Sequence, residues 1–234
     1  KERRVSPRQQ VDGRCEVLHD LASICARIRV EQEIASGTAP GQRLSSEEIL
    51  DIKLYGFVTE RTKSTISQRQ LGGRDLSVEQ WPMHDRSDTG LGVVLKGEDS
   101  EWVKVGKLLA LRLDPAEAWV IGVVRRITRL QDEMRMIGVQ IINASPVLVQ
   151  LEQHESAPSL SYAVDDVDYE SQTASDALAF PTLQEGNLIV LESARYAHGR
   201  QYKLRDAGGF RLIRLEAVRD KGEGWLMTTF SQLA

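Results

Sequence analysis

The sequence is poor in cysteine and has no long apolar run, and each shortage excludes a class of protein. Its two cysteines, Cys15 and Cys25, are too few for the disulfide framework of a small secreted domain. No stretch approaches the roughly 18 apolar residues of a membrane-spanning helix, and no secretion signal opens the chain. We therefore expect a cytoplasmic protein with reduced thiols and no membrane insertion. The sequence begins at Lys1 rather than Met, which leaves open that it belongs to a longer protein.

Motifs for metals and catalysis are also scarce. Cys15 and His19 lie four residues apart, but a structural zinc ion needs about four ligands and the sequence supplies no others nearby. Neither common glycine-rich phosphate loop is present. Asp88-Thr89-Gly90 spells the aspartic protease triplet, but polar residues precede it and no second triplet occurs. We expect no metal, no cofactor and no catalytic site.

Basic residues are unevenly distributed. Residues 136–194 contain nine acidic residues and neither lysine nor arginine, whereas the first fourteen contain five basic and two acidic residues. The net charge of -4 argues against binding to nucleic acid polymers, which requires a broad basic face. A basic terminus on an acidic body suits the binding of a small anion. The alternative is a solvated terminus without a ligand.

The first part of the chain combines a strand with helices. Strict alternation over residues 11–17 predicts a half-buried strand. Apolar residues at helical spacing then follow Asp20, a candidate helix cap, and Ser45 opens a capping box before a second helix. We expect a helical insertion over residues 20–65.

Beyond Gly73 the sequence is mainly β. Short apolar runs separated by glycines predict a small antiparallel barrel, because parallel strands would need long helical crossovers. Residues 153–176 are polar and acidic and predict a linker between a barrel domain at 1–152 and a small β-rich domain at 177–234. Hairpin turns are predicted at 206–209 and 220–224. The predicted strands cover 78–83, 91–95, 102–104, 107–112, 119–130, 134–142 and 147–151, then 188–191, 201–204, 210–215 and 225–230.

Two polar motifs precede strands. Arg4 and Arg8 flank Val5-Ser6-Pro7, and each guanidinium is able to make a bidentate contact with a phosphate or with the O6/N7 edge of guanine. Residues 85–90 follow the pattern D-x-S-x-x-G, which supplies a carboxylate, a hydroxyl and a glycine that permits close approach of a ligand. Both motifs together are suited to a guanine nucleotide.

At these residues the chain resembles the PilZ family, whose signature is R-x-x-x-R before the first barrel strand and [DN]-x-S-x-x-G further on. The resemblance covers roughly residues 1–20 and 77–151. It implies a PilZ-like barrel that binds cyclic di-GMP through Arg4 and Arg8, with assistance from Arg3, and through Asp85, Ser87 and Gly90. It also implies a signalling module that acts on an unknown protein partner or a neighbouring domain.

The chain departs from the family in spacing: Asp85 lies 77 positions after Arg8, far more than the few tens usual in the family, and the predicted insertion accounts for the excess. A long surface insertion adds little to the entropy of loop closure, so the site is able to survive it. The alternative is a PilZ-like protein-interaction module that has lost the nucleotide, in which Ser87 and Asp88 bond only to nearby backbone.

Overall fold

Six antiparallel strands form the first of two barrels. The computed structural model describes residues 8–35, 54, 78–114, 116–142, 145–154, 174–180, 187–206 and 208–233. The strands follow the order β1-β2-β3-β6-β5-β4 around the closed barrel. Their bounds are β1 Gln9–His19, β2 Glu79–Ser87, β3 Gly90–Lys96, β4 Leu108–Arg112, β5 Val120–Arg129 and β6 Met134–Ile142.

Strand β1 closes this barrel because it pairs with two neighbours. Residues from Gln9 to Val17 pair with β2, and residues from Glu16 to His19 pair with β4. Alternate residues of the strands point inward and form one apolar core, which includes Cys15, Trp81 and Leu91. The prediction of a mainly β protein with a small antiparallel barrel is confirmed.

A second closed barrel follows along the chain. Its strand order is β10-β11-β12-β9-β8-β7, and all neighbours are antiparallel. Hairpin turns at 206–209 and 220–224 occur where they were predicted, and Gly209 and Gly224 adopt positive φ angles there. The strands are β7 Val147–Gln153, β8 Ser175–Phe180, β9 Leu188–Glu192, β10 Gln201–Asp206, β11 Gly209–Lys221 and β12 Trp225–Gln232.

The boundary between the barrels differs from the predicted one. Strand β7 was assigned to the first barrel, but it pairs with β8 and β10 of the second. The first barrel therefore ends at Ile142, not at residue 152. The ends of the predicted linker at 153–176 belong to strands β7 and β8, which are hydrogen-bonded neighbours in the second barrel, and its residues 155–173 lie outside the described residues. The predicted strand at 102–104 is absent: these residues lie in a loop.

One helix, α1 Leu21–Ala35, follows β1 directly. This agrees with a helical insertion between β1 and β2, and the predicted second helix lies outside the described residues apart from Leu54. Asp20 was expected to cap α1, but it has a φ of 65° and its carboxylate contacts Lys107 Nζ at 2.7 Å and His19 Nδ1 at 2.6 Å. In the described ranges, no helix combines the length and the apolar character needed to cross a membrane.

The barrels bury apolar residues on their outer faces as well as inside. In β4 all of Leu108–Leu111 is buried, although only Leu109 and Leu111 belong to the inner core. In β9 all of Leu188–Leu191 is buried, although only Ile189 and Leu191 face inward. A strand that is buried on both faces has a continuous run of apolar residues, and both β4 and β9 have such a run.

Direct contacts join the barrels beside these covered faces. Trp225 is buried and its Nε1 donates a hydrogen bond to the Gly106 carbonyl at 3.0 Å. Arg125 of β5 forms an ion pair with Asp220 of β11. Contacts along the chain accordingly group residues 1–25 and 78–234 as one unit, separate from residues 26–77.

Gly222 provides a test of the junction between the barrels. A Cβ at this position would collide with the Gly106 carbonyl oxygen and the indole of Trp225. We expect Gly222→Ala to lower the free energy of unfolding by about 1–3 kcal/mol, the usual cost of overpacking. Chemical denaturation measures this, with Glu223→Ala as the control because Glu223 is exposed in the same turn. Equal stability of both variants would contradict a close junction.

Cys15 provides a test of the first core. Burial raises the pKa of its thiol to about 12, although a backbone hydrogen bond opposes this shift. Because the thiolate is the reactive species, we expect no labelling of Cys15 in the folded protein at pH 8 and full labelling in denaturant. A Cys25→Ser variant isolates this thiol. Rapid labelling of the folded variant would mean that the barrel opens readily.

Candidate ligand site

The two motifs meet on the outer surface of the first barrel. Arg8 directly precedes β1, Asp85 and Ser87 lie near the end of β2, and Gly90 is the first residue of β3. Gln10 pairs with Asp85 and Ser87 pairs with Gly90, so strand register brings these residues together. Of the predicted site residues, the structure therefore groups Arg8, Asp85, Ser87 and Gly90. Arg3 and Arg4 lie outside the described residues.

The central contact is an ion pair between Arg8 and Asp85. Arg8 Nη1 donates to Asp85 Oδ1 at 2.5 Å, and the two side chains are 35% and 16% exposed. Partly exposed pairs of this kind contribute at most about 1 kcal/mol to stability. The pair therefore matters mainly because it orients the guanidinium, whose planar fork has further N–H groups for an anion or a guanine edge.

The hairpin between β2 and β3 differs in detail from the prediction. Residues 85–90 were interpreted as a turn, but only Asp88 and Thr89 form it, and Asp85 and Ser87 are strand residues. Ser87 Oγ donates to the Gly90 carbonyl at 3.5 Å, which is a long hydrogen bond. Asp88 is exposed. The aspartate of the protease triplet thus lies in a surface turn, where it lacks the buried setting of a catalytic aspartate.

Two glycines of β3 make room for the charged side chains. A Cβ at Gly90 would lie 3.3 Å from Ser87 Oγ and 4.0 Å from Arg8 Nη2, so Arg8 extends over this glycine. A Cβ at Gly92 would lie 2.6 Å from Asp85 Oδ1, so the carboxylate occupies the space above Gly92. Sequence reasoning missed Gly92. The feature that identifies Gly92 is its position directly opposite Asp85 in the neighbouring strand. This pairing comes just after an irregularity in β2 between Met83 and Asp85.

Strands β5 and β6 add polar groups beside the motif. Gln140 of β6 pairs with Gly90, and its Oε1 accepts a hydrogen bond from Arg125 Nε at 2.8 Å. The same guanidinium contacts Asp220 of the second barrel, with Nη1 and Oδ1 3.2 Å apart. Sequence reasoning missed these three residues because they belong to no motif and meet only through sheet register and the packing of the barrels.

A separate cavity of about 180 Å³ lies where the barrels meet. Its lining includes Asp20, Lys107, Leu108, Glu192 and Trp225. Burial raises the pKa of Asp20, but hydrogen bonds and charge from Lys107 and His19 outweigh this effect and hold the pKa below its usual value. The charges of Asp20 and Lys107 therefore compensate each other. We interpret the cavity as a gap in the packing between the two barrels.

Cys15 and His19, which are four residues apart in the sequence, do not come together as metal ligands. Cys15 and His19 both lie on β1, where the Cys15 thiol faces the core and contacts the Trp81 carbonyl at 3.7 Å. His19 instead packs against Trp102 in a tilted arrangement, with ring centroids 4.2 Å apart. Across the described parts of the chain, no three His, Cys, Asp or Glu residues are close enough to hold a metal ion.

A comparison with protein families bears on the first barrel. Residues 34–146 match the family described as "Cyclic-di-GMP receptor FimW, middle PilZ domain". No curated protein matches the chain. The matched range contains Asp85, Ser87 and Gly90, whereas Arg8 precedes it, and it ends between the last strand of the first barrel and the first strand of the second. The match extends over strands β2 to β6, so the first barrel is a PilZ domain.

Proposed function

We propose that this protein is a cytoplasmic receptor module that binds cyclic di-GMP on the outer face of its first barrel and signals to a partner or neighbouring domain. The observation that carries the proposal is the contact between Arg8 and Asp85, which joins two motifs 77 positions apart. The matched family is named for a receptor of this nucleotide. PilZ domains are receptor domains rather than enzymes, and the proposal assigns this chain no catalytic step.

The chemistry of the site suits a guanine nucleotide with two phosphates. Arg8 offers several N–H donors, and bidentate contacts from arginine are the strongest available to a phosphate or to the O6/N7 edge of guanine. Asp85 accepts one of these donors, which fixes the plane of the guanidinium beside Gly90. Arg3 and Arg4 complete the proposed contacts from the N-terminal segment.

A change at Arg8 tests the proposal directly. We expect the protein to bind cyclic di-GMP with micromolar or tighter affinity in calorimetry, and Arg8→Ala and Asp85→Ala to weaken binding. The loss should be about tenfold to a hundredfold, because a hydrogen bond to a charged group contributes about 1.5–3 kcal/mol and each 1.4 kcal/mol is tenfold. Arg14→Ala is the control, since it removes the same charge from an exposed position on β1. No heat and no thermal shift at saturating nucleotide would refute the proposal.

Gly92 tests whether the position of the Asp85 carboxylate matters. Gly92→Ala places a methyl group where that carboxylate now lies, so Asp85 must turn away from Arg8. We expect a loss of affinity of about tenfold, comparable to the loss of one charge-assisted contact. Gly13→Ala on β1 is the matched control, because its Cβ would meet only the flexible end of Met83. Unchanged affinity in a folded Gly92→Ala variant would show that the carboxylate does not position Arg8.

A second candidate function is a protein-interaction module without a nucleotide. It is favoured by the local contacts of the motif, in which Asp85 already pairs with Arg8 and Ser87 already bonds to Gly90. This alternative predicts no binding in calorimetry and capture of a partner in the absence of cyclic di-GMP. A variant that keeps α1 and lacks residues 36–65 would test that segment as the docking surface. Undiminished capture would exclude it.

A further inference from the structure

A row of four paired residues crosses the outer face of the first barrel from β2 to β5. Asp85 pairs with Gly92, Gly92 with Gly138, and Gly138 with Arg126. Side chains of directly opposite residues project to the same face of a sheet. The outer positions of Asp85 over Gly92 and of the Arg126 stem beside Gly138 agree with this. The row therefore has a carboxylate at one end, a guanidinium at the other and two glycines between them.

The two glycines are not equivalent. Gly92 has no space for a Cβ, because the Asp85 carboxylate lies above it. At Gly138 a Cβ would lie 3.5 Å from Arg126 Cβ and 3.8 Å from the Arg126 carbonyl oxygen, which are ordinary contact distances. The packing of the barrel thus does not require glycine at 138. Glycine within a strand often marks either a bulge or the close approach of a ligand. The irregularity of β5 lies opposite, between Val124 and Arg126, and the space above Gly138 also leaves room for a ligand group.

Arg126 is an available cation beside this glycine. It is exposed, and its Nε donates to Thr128 Oγ1 at 3.0 Å on the same strand. No carboxylate from the described residues lies within ion-pair distance of it. Its neighbour Arg125 is different, because Gln140 and Asp220 already engage that guanidinium. The remaining N–H groups of the Arg126 guanidinium therefore provide a positive charge beside the outer surface at Gly138.

We propose that the ligand site extends across the sheet, so that Arg126 binds a phosphate of the nucleotide whose ring passes over Gly138. This inference rests on the proposed function. Asp85 and Arg126 lie three strand spacings apart, and at about 4.8 Å per spacing their Cα atoms are roughly 14 Å apart. The distance between their charged groups is shorter when the side chains extend toward each other. A ligand with two separated phosphates is able to place one beside Arg8 and the other beside Arg126.

Calorimetry with cyclic di-GMP on the full chain tests the extended site, with the melting temperature of every variant measured alongside. Arg126→Ala should weaken binding about tenfold or more, the scale of one charge-assisted contact, and Arg126→Lys should recover part of the loss. The charge control is Arg129→Ala, which removes an exposed arginine from the far end of β5 and should leave affinity unchanged. Gly138→Ala should weaken binding while its melting temperature stays the same or rises.

The outcomes separate this inference from the proposed function. If the parent binds and Arg126→Ala behaves like Arg129→Ala, Arg126 is a solvated surface residue and the inference is overturned while the receptor function stands. If Gly138→Ala binds as the parent does, no ligand group passes over Gly138, and the inference is likewise overturned. Absence of binding by the parent overturns both. A fall in melting temperature for Gly138→Ala would assign that glycine to packing and remove its part of the argument.

Discussion

The pairing of β1 with both β2 and β4 is the constraint on which the candidate site depends. It closes the first barrel and, at the other end of β1, sets Gln10 opposite Asp85. Arg8 directly precedes β1, so this pairing places it within reach of Asp85. A one-residue slip of β1 would turn its inward side chains outward, so burial of Cys15 and Val17 in the core holds the register that brings the motifs together.

Within the site, the position of the Asp85 carboxylate depends both on packing against Gly92 and on its ion pair with Arg8. Its carboxylate has space only because residue 92 is glycine, and it accepts the hydrogen bond that holds Arg8 beside Gly90. The ion pair itself adds little to stability, since both side chains are partly exposed. Its significance lies in the orientation that it imposes on the Arg8 guanidinium, which has further N–H donors.

The second barrel contacts the same face of the first barrel through Arg125. Arg125 bonds to Gln140, the cross-strand neighbour of Gly90, and to Asp220 on β11. The hydrogen bond from Trp225 Nε1 to the Gly106 carbonyl also joins the barrels, so this ion pair is one of several contacts between them. The pair connects the second barrel to the strand that carries Arg126. Both barrels consequently influence the polar surface on which the proposed function rests.

The sequence by itself determined the fold class, most strand positions, the hairpin turns and the identity of the motif residues. Alternating apolar residues, glycine punctuation and the D-x-S-x-x-G pattern are local signals, and they agree with β1, β6 and the β2–β3 hairpin. The tertiary structure alone decided which barrel β7 joins, because an apolar strand carries no local mark of its partners. It also set the positions of Gly92, Gly138, Arg125 and Arg126 relative to the motif residues. These depend on cross-strand register and on contacts between residues as distant as Arg125 and Asp220, which no short-range pattern encodes.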